Sequence, residues 1–123
     1  MKTKQSFSMQ ARWRSILYAI DGVSSFFRNQ HNAIIHLIAT AIVFMAALFF
    51  GVSKTEIIAL VIVTGFVWVA EVFNTAIEAI MDHLSPEQHP KVKYIKDVAA
   101  AAVLLAAMTA VVTGTLIFIP KLF

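Results

Sequence analysis

There is no cysteine in this chain, so no disulfide framework can hold it together and the redox compartment cannot be read from thiols. Charge is scarce as well. Asp, Glu, Lys and Arg make up 14% of the residues, against about a quarter in soluble proteins, while apolar residues reach 59%. The four glycines, Gly22, Gly51, Gly65 and Gly114, are scattered, which excludes a glycine-rich phosphate loop of the Walker or dinucleotide kind. Any nucleotide site here has to be built from side chains and metal. His31, His36, His83 and His89 have no metal-binding spacing; His31 and His36 are poorly placed to share a helix face and read as interfacial. No long basic face exists either, which argues against a nucleic-acid partner.

What the chain does have is three long apolar runs in 123 residues, the mark of an integral membrane protein with a single domain over residues 1–123. No cleavable signal peptide is expected, because the first apolar run starts too late and lacks a small-residue cleavage site. Residues 5–30 predict a surface helix. Trp13, Ile16, Leu17, Ile20, Ser24 and Phe27 recur at helical spacing, with Arg12, Arg14, Asp21 and Arg28 elsewhere on the wheel. The first span covers residues 32–50 and is ended by Gly51, with a tight turn over residues 52–55. The second covers residues 56–81, roughly 38 Å of helix, so it has to tilt or protrude. Residues 82–97 are polar, with Pro86 and Pro90 breaking helix, and Ser85-Pro86-Glu87 has the cap-then-proline pattern of a short helical turn. The third span covers residues 98–119, and Pro120 stops it. The expected fold is all-α: three transmembrane helices plus an N-terminal amphipathic surface helix.

Basic residues set the orientation. Lys2, Lys4, Arg12, Arg14 and Arg28 precede the first span, Lys91, Lys93 and Lys96 lie in the second loop, and the first loop has only Lys54. The N-terminus and second loop are expected on the cytoplasmic side, and the first loop and C-terminus outside.

The most informative run is Glu71-Val72-Phe73-Asn74-Thr75-Ala76-Ile77-Glu78, which sets two acids and an amide inside an apolar span. An ionised carboxylate near the bilayer centre costs roughly 3 kcal/mol, so such residues are functional candidates by default. At helical spacing Glu71, Asn74, Glu78 and Asp82 fall within roughly a 60° arc, one polar stripe on one face. Thr64, two turns earlier, lies near it. A carboxylate can act as general base on a hydroxyl or ligate Mg²⁺. The alternative is a polar seam between packed helices, although such seams favour amides and hydroxyls over acids.

Lys96-Asp97 opens the third span. Asp97 suits a helix N-terminus; Lys96 does not unless an anion answers it, and a phosphate at the membrane face would. Snorkelling of Lys96 to lipid headgroups is an equal reading. Ala99-Ala100-Ala101-Ala102 follows, small enough for the acid-bearing helix to approach closely. Three functional classes fit these residues. They are a membrane lipid kinase, a small proton-coupled transporter with an intramembrane Glu, and a non-catalytic membrane subunit whose stripe sets oligomer contacts.

Three segments carry a resemblance. Glu71 through Asp82, then Ser85-Pro86-Glu87-Gln88-His89-Pro90, then Lys96-Asp97-Val98-Ala99-Ala100-Ala101-Ala102-Val103-Leu104 resemble the small prokaryotic diacylglycerol kinase family, which includes the undecaprenol kinases. Arg14-Ser15, Tyr18-Ala19 and Gly22 resemble its N-terminal helix, and Asn32 with His36 its first span. His89-Pro90 and the terminal Ile117-Phe118-Ile119-Pro120-Lys121 look more like the undecaprenol-type branch.

The resemblance implies a homotrimer in the bacterial cytoplasmic (inner) membrane that transfers the ATP γ-phosphate to the hydroxyl of a membrane lipid alcohol, diacylglycerol or undecaprenol, with Mg²⁺ as cofactor. By similarity Glu71 is the general base, supported by Asn74 and close to substrate together with Ala100. Glu78 binds the metal. Tyr18, Gln30, Glu78, Glu87, Gln88, His89, Lys96 and Asp97 form the nucleotide site. The chain departs from the family at Gln30, where a second metal-binding Glu is usual, and at Ile34, where the branch it most resembles often has a cation. An amide oxygen ligates Mg²⁺ without charge and therefore more weakly.

Overall fold

A computed structural model describes residues 6–87 and 89–123. These form four α-helices: α1 (Met9–Asn29), α2 (His31–Phe50), α3 (Lys54–Leu84) and α4 (Pro90–Leu122). The chain divides into two compact units, one ending at Ile34 and one running from Ile35 to Phe123, with the boundary inside α2.

In the first unit, Ser8 starts α1 by accepting the Ala11 N–H on its side chain at 3.3 Å. Arg28 in the last turn suits the negative end of the helix dipole. Gln30 caps the far end and donates its backbone N–H to Phe26 O at 3.1 Å. Trp13, Ile16, Leu17 and Ile20 are all exposed along α1.

Helix α2 has 20 residues, about 30 Å, which matches the hydrocarbon thickness. It ends as its sequence suggests. Gly51 takes φ +60° and donates to Leu48 O at 3.4 Å, and Val52 donates to Ala47 O at 3.2 Å. These are the paired bonds of a Schellman cap, which needs a residue free of Cβ strain at the left-handed position. Val52 then packs onto the core that holds Ala47.

The turn over residues 52–55 hides a capping box. Ser53 Oγ accepts the Glu56 N–H at 3.2 Å, and the Glu56 carboxylate accepts the Ser53 N–H at 2.8 Å. This nucleates α3, which starts at Lys54 and reaches Leu84, 31 residues or about 46 Å. Ser85 closes it by donating to Met81 O at 2.9 Å. The expected helical turn at Ser85-Pro86-Glu87 does not form; Ser85 serves as the C-cap of α3 instead. A second departure concerns α4. It begins at Pro90, well ahead of the apolar run, because His89 Nδ1 accepts the Lys91 N–H at 3.1 Å and Pro90 is preset for the first helical position. Pro120 lies within the helix, which continues to Leu122. A proline forfeits one backbone bond yet keeps a helical φ, so near a terminus the helix can run past it.

Helices α3 and α4 are the main packing pair. The core of the second unit is small: Ala47 of α2, Leu60 of α3 and Ile117 of α4, ringed by Phe44, Val52, Ile57 and Phe118. Leu60 is its one large, fully buried side chain among the described residues, worth roughly 2 kcal/mol of burial. Lys121 pairs with Glu56 at 3.1 Å beside it, and the Phe50 and Phe118 rings meet at 6.0 Å. By contrast Leu48, Phe49, Phe73, Leu105 and Leu116 are exposed. By length and composition α2, α3 and α4 can each cross a membrane. Apolar side chains on their outsides are what an integral membrane protein presents to lipid.

Candidate active site

One unbroken helix, α3, carries Glu71, Asn74, Glu78 and Asp82, so the stripe expected from spacing is physically continuous. Along it exposure rises in order. Glu71 is buried at 4% exposure, Asn74 and Glu78 are half-buried, and Asp82 is exposed. Glu78 lies roughly 10 Å along the axis from Glu71. Asn74 Nδ2 donates to Glu78 Oε1 at 3.5 Å, at the limit of a hydrogen bond. Its carbonyl oxygen, Asn74 Oδ1, is buried and has no partner. A buried amide oxygen without a partner is costly unless a donor or cation answers it.

A cleft of about 570 Å³ opens where α3 ends and α4 begins. It gathers Glu78, Glu87, His89, Lys96, Asp97 and Ala100, six of the positions expected at a nucleotide or substrate site. Asp82 and Lys93 join them. Lys96 Nζ donates to Asp82 Oδ1 at 2.7 Å across the two helices, and Lys93 pairs with Asp97 one turn along α4. Lys96 does not open α4, as expected from the apolar run; it lies roughly two turns inside, and the anion that answers it within the chain is Asp82. His89 spends its Nδ1 on capping α4. With two lysines, four acids and backbone from the connecting segment, the cleft can neutralise an anionic ligand and still hold a cation.

Glu71 and Asn74 do not line this cleft. They sit earlier on α3, nearer its middle. His36 of α2 lies beside Glu71, with Nε2 3.7 Å from Oε1. The interfacial reading of His36 is therefore replaced by a position beside the buried acid. Thr64 does not extend the stripe at its polar end; it lines a second, smaller cavity of about 300 Å³ with His36 and Thr40. Tyr18 and Gln30 belong to the first unit, Tyr18 exposed on α1 and Gln30 half-buried at its C-cap. Gln88 lies outside the described residues.

The donor set suits Mg²⁺ in kind. The Glu78 carboxylate and the unpartnered Asn74 Oδ1 are hard oxygen donors on one face of α3. No group of three or more His, Cys, Asp or Glu gathers among the described residues. Mg²⁺ needs none, because it binds through one or two carboxylates and completes its shell with phosphate and water.

Two contributors lie outside the expected site. Lys93 was legible through its i, i+4 spacing to Asp97, a surface helix pair. His36 was not, because it meets Glu71 across two helices and no local spacing encodes that contact.

Residues 17–118 match the family described as prokaryotic diacylglycerol kinase. The chain is 36% identical over 109 residues to the diacylglycerol kinase of Synechocystis sp., a match covering 88% of this chain and 62% of that protein. It is 32% identical over 110 residues to the undecaprenol kinase of Bacillus subtilis, covering 89% of each. It is 30% identical over 106 residues to the diacylglycerol kinase of Haemophilus influenzae, covering 85% of this chain and 89% of that one. The chain thus spans a little under two thirds of the Synechocystis relative and most of the other two.

Proposed function

The chain belongs to the prokaryotic diacylglycerol kinase family, and from that membership we propose that it is a membrane lipid kinase, moving the γ-phosphate of ATP onto the hydroxyl of a membrane lipid alcohol. Diacylglycerol would give phosphatidic acid, and undecaprenol would give undecaprenyl phosphate. The relatives carry both names. The observation that carries the reading is the exposure gradient along α3, from buried Glu71 through half-buried Glu78 to a charged, open cleft. A lipid hydroxyl approaches from the hydrocarbon and ATP from water, so the reacting groups have to meet along such a gradient.

In this reading Glu71 is the general base, supported by Asn74. It takes the proton as the lipid oxygen bonds to the γ-phosphorus and the bond to the ADP oxygen breaks. Phosphoryl transfer asks mainly for positioning and charge neutralisation. Lys96, released from Asp82, neutralises phosphate oxygens, and Glu87, His89 and Asp97 line the nucleotide. Tyr18, Gln30 and Gln88 complete the nucleotide site, and Ala100 leaves room for substrate. Glu78, with Gln30, would hold Mg²⁺, which when bound would supply charge neutralisation to the phosphates. The chain lies in the bacterial cytoplasmic membrane as one working domain, a homotrimer with its N-terminus and cleft cytoplasmic and its C-terminus external. Helix α1 lies at the interface.

The test is Mg²⁺-dependent transfer of labelled γ-phosphate from ATP by purified protein in mixed micelles, with diacylglycerol and undecaprenol side by side. Glu71→Gln is expected to lower turnover by at least about a hundredfold while ATP still binds. No label in any lipid alcohol would overturn the kinase reading, and parental turnover by Glu71→Gln would overturn the base.

A further inference from the structure

His36 is the polar side chain that meets buried Glu71, and its own surroundings are unusually constrained. Its Nε2 lies 3.7 Å from Glu71 Oε1, within ion-pair range and just beyond a hydrogen bond. Side-chain exposure is 24% for His36 and 5% for Glu71, so neither group relies on bulk water. The imidazole meets the Trp68 ring edge-on, with centroids 6.0 Å apart and planes at 64°. Trp68 Nε1–H donates to Thr40 Oγ1 at 3.1 Å, and Thr40 Oγ1–H donates to His36 O at 2.7 Å. The indole flanking the imidazole is thus tied to the helical turn that carries the imidazole. The chain of contacts runs from the His36 backbone through Thr40 and Trp68 back to the His36 ring, and ends at the acid.

A seam that only packs α2 against α3 requires hydroxyls and small residues. It has no use for an imidazole aimed at the one buried acid among the described residues. Among the described residues of its unit, Glu71 is the one acid within ion-pair range of His36. The cavity that His36 lines is otherwise apolar or neutral: Thr40 on α2, Thr64 and Val67 on α3, Ala107 and Thr115 on α4. The two groups therefore answer to each other.

We propose that His36 is a positioning residue for Glu71, holding its carboxylate toward the acceptor hydroxyl. The proposal rests on the reading of Glu71 as general base. With His36 neutral and its proton on Nε2, the imidazole donates to one carboxylate oxygen and leaves the other for the lipid hydroxyl. Contacts of this length in a ligand-free site commonly tighten when substrate binds. His36 forms no bond to substrate, and the transferred proton ends on Glu71.

The experiment compares the parent, His36→Gln, Thr40→Val and Glu71→Gln, all as full chains in mixed micelles, by kcat and KM for ATP. His36→Gln is expected to lower kcat about tenfold with KM for ATP unchanged. Thr40→Val is expected to lower kcat by a smaller factor, because the imidazole remains. Parental kcat in His36→Gln, or a loss confined to KM for ATP, overturns the proposal. Histidine NMR spectra need no His36 variant to fold: the His36 ring signal is expected to shift in Glu71→Gln relative to the parent at one pH, and an unchanged signal overturns the contact. An active Glu71→Gln removes the general-base premise itself. An inactive Glu71→Gln beside a parental His36→Gln removes only this inference.

Discussion

Glu78 stands at the step where the sheltered part of α3 meets the cleft, with Asn74 on one side and Lys96 across from it. A carboxylate there can serve a metal and the phosphates at once. Glu78→Gln is expected to raise the Mg²⁺ concentration for half-maximal activity by about tenfold, since affinity follows ligand charge. Gln30→Glu is expected to lower it. Titration of activity against Mg²⁺ reads both, and an unchanged midpoint in Gln30→Glu would show that position 30 does not serve the metal. The stripe from Glu71 to Asp82 was legible in the sequence because one helix holds it and the period of a helix is fixed. The cleft's cation and acids were legible as types, whereas the Lys96–Asp82 pairing was not. Contacts between helices depend on how the helices cross, and nothing in local spacing records that. His36 beside Glu71 stayed hidden for the same reason.

Helix ends follow hydrogen-bond chemistry, and hydropathy follows the membrane; the two need not coincide. The apolar run of α4 begins near residue 98, but the helix begins at Pro90, because His89 caps it and proline fits its first position. Ser53 and Glu56 start α3 in the same way, by a capping box where the sequence reads only as a tight turn. The end of α2 was fully readable, since Gly51 sits where the chain needs a left-handed residue. A Cβ at Gly51 would meet nothing within 4 Å, so replacement tests the backbone alone. Gly51→Ala is expected to destabilise the fold by about 1 kcal/mol. Gly51→Asn is expected to cost less, because asparagine tolerates that conformation. Thermal unfolding in one detergent compares the three, and equal midpoints for Ala and Gly would remove the strain argument.

At the scale of the molecule, one chain buries little of its apolar surface. Ala99 and Ala106 are buried on α4, yet Leu104, Leu105, Met108, Val111 and Val112 on the same helix are exposed. Lipid covers part of such a surface, and other copies of the chain cover part of it in the homotrimer proposed above. Light scattering of the detergent complex is expected to give three times the 13.6 kDa chain mass after correction for detergent. Glu71→Gln is expected to keep that mass, which would separate the role of the acid from assembly. A monomeric mass in an active sample would exclude the trimer. Membrane character was legible from composition, because a bilayer selects length and apolarity; subunit number leaves no comparable trace in one sequence. The Lys96–Asp82 bridge carries a last implication. An arriving phosphate does not have to recruit a stray cation from solution. It swaps places with a carboxylate that is already open to water and can rehydrate at once. In the proposed kinase, capture by such a trade would gain little net attraction, so the cleft would grip its guest lightly, and departure of the spent nucleotide would be eased by the carboxylate reclaiming its old neighbour.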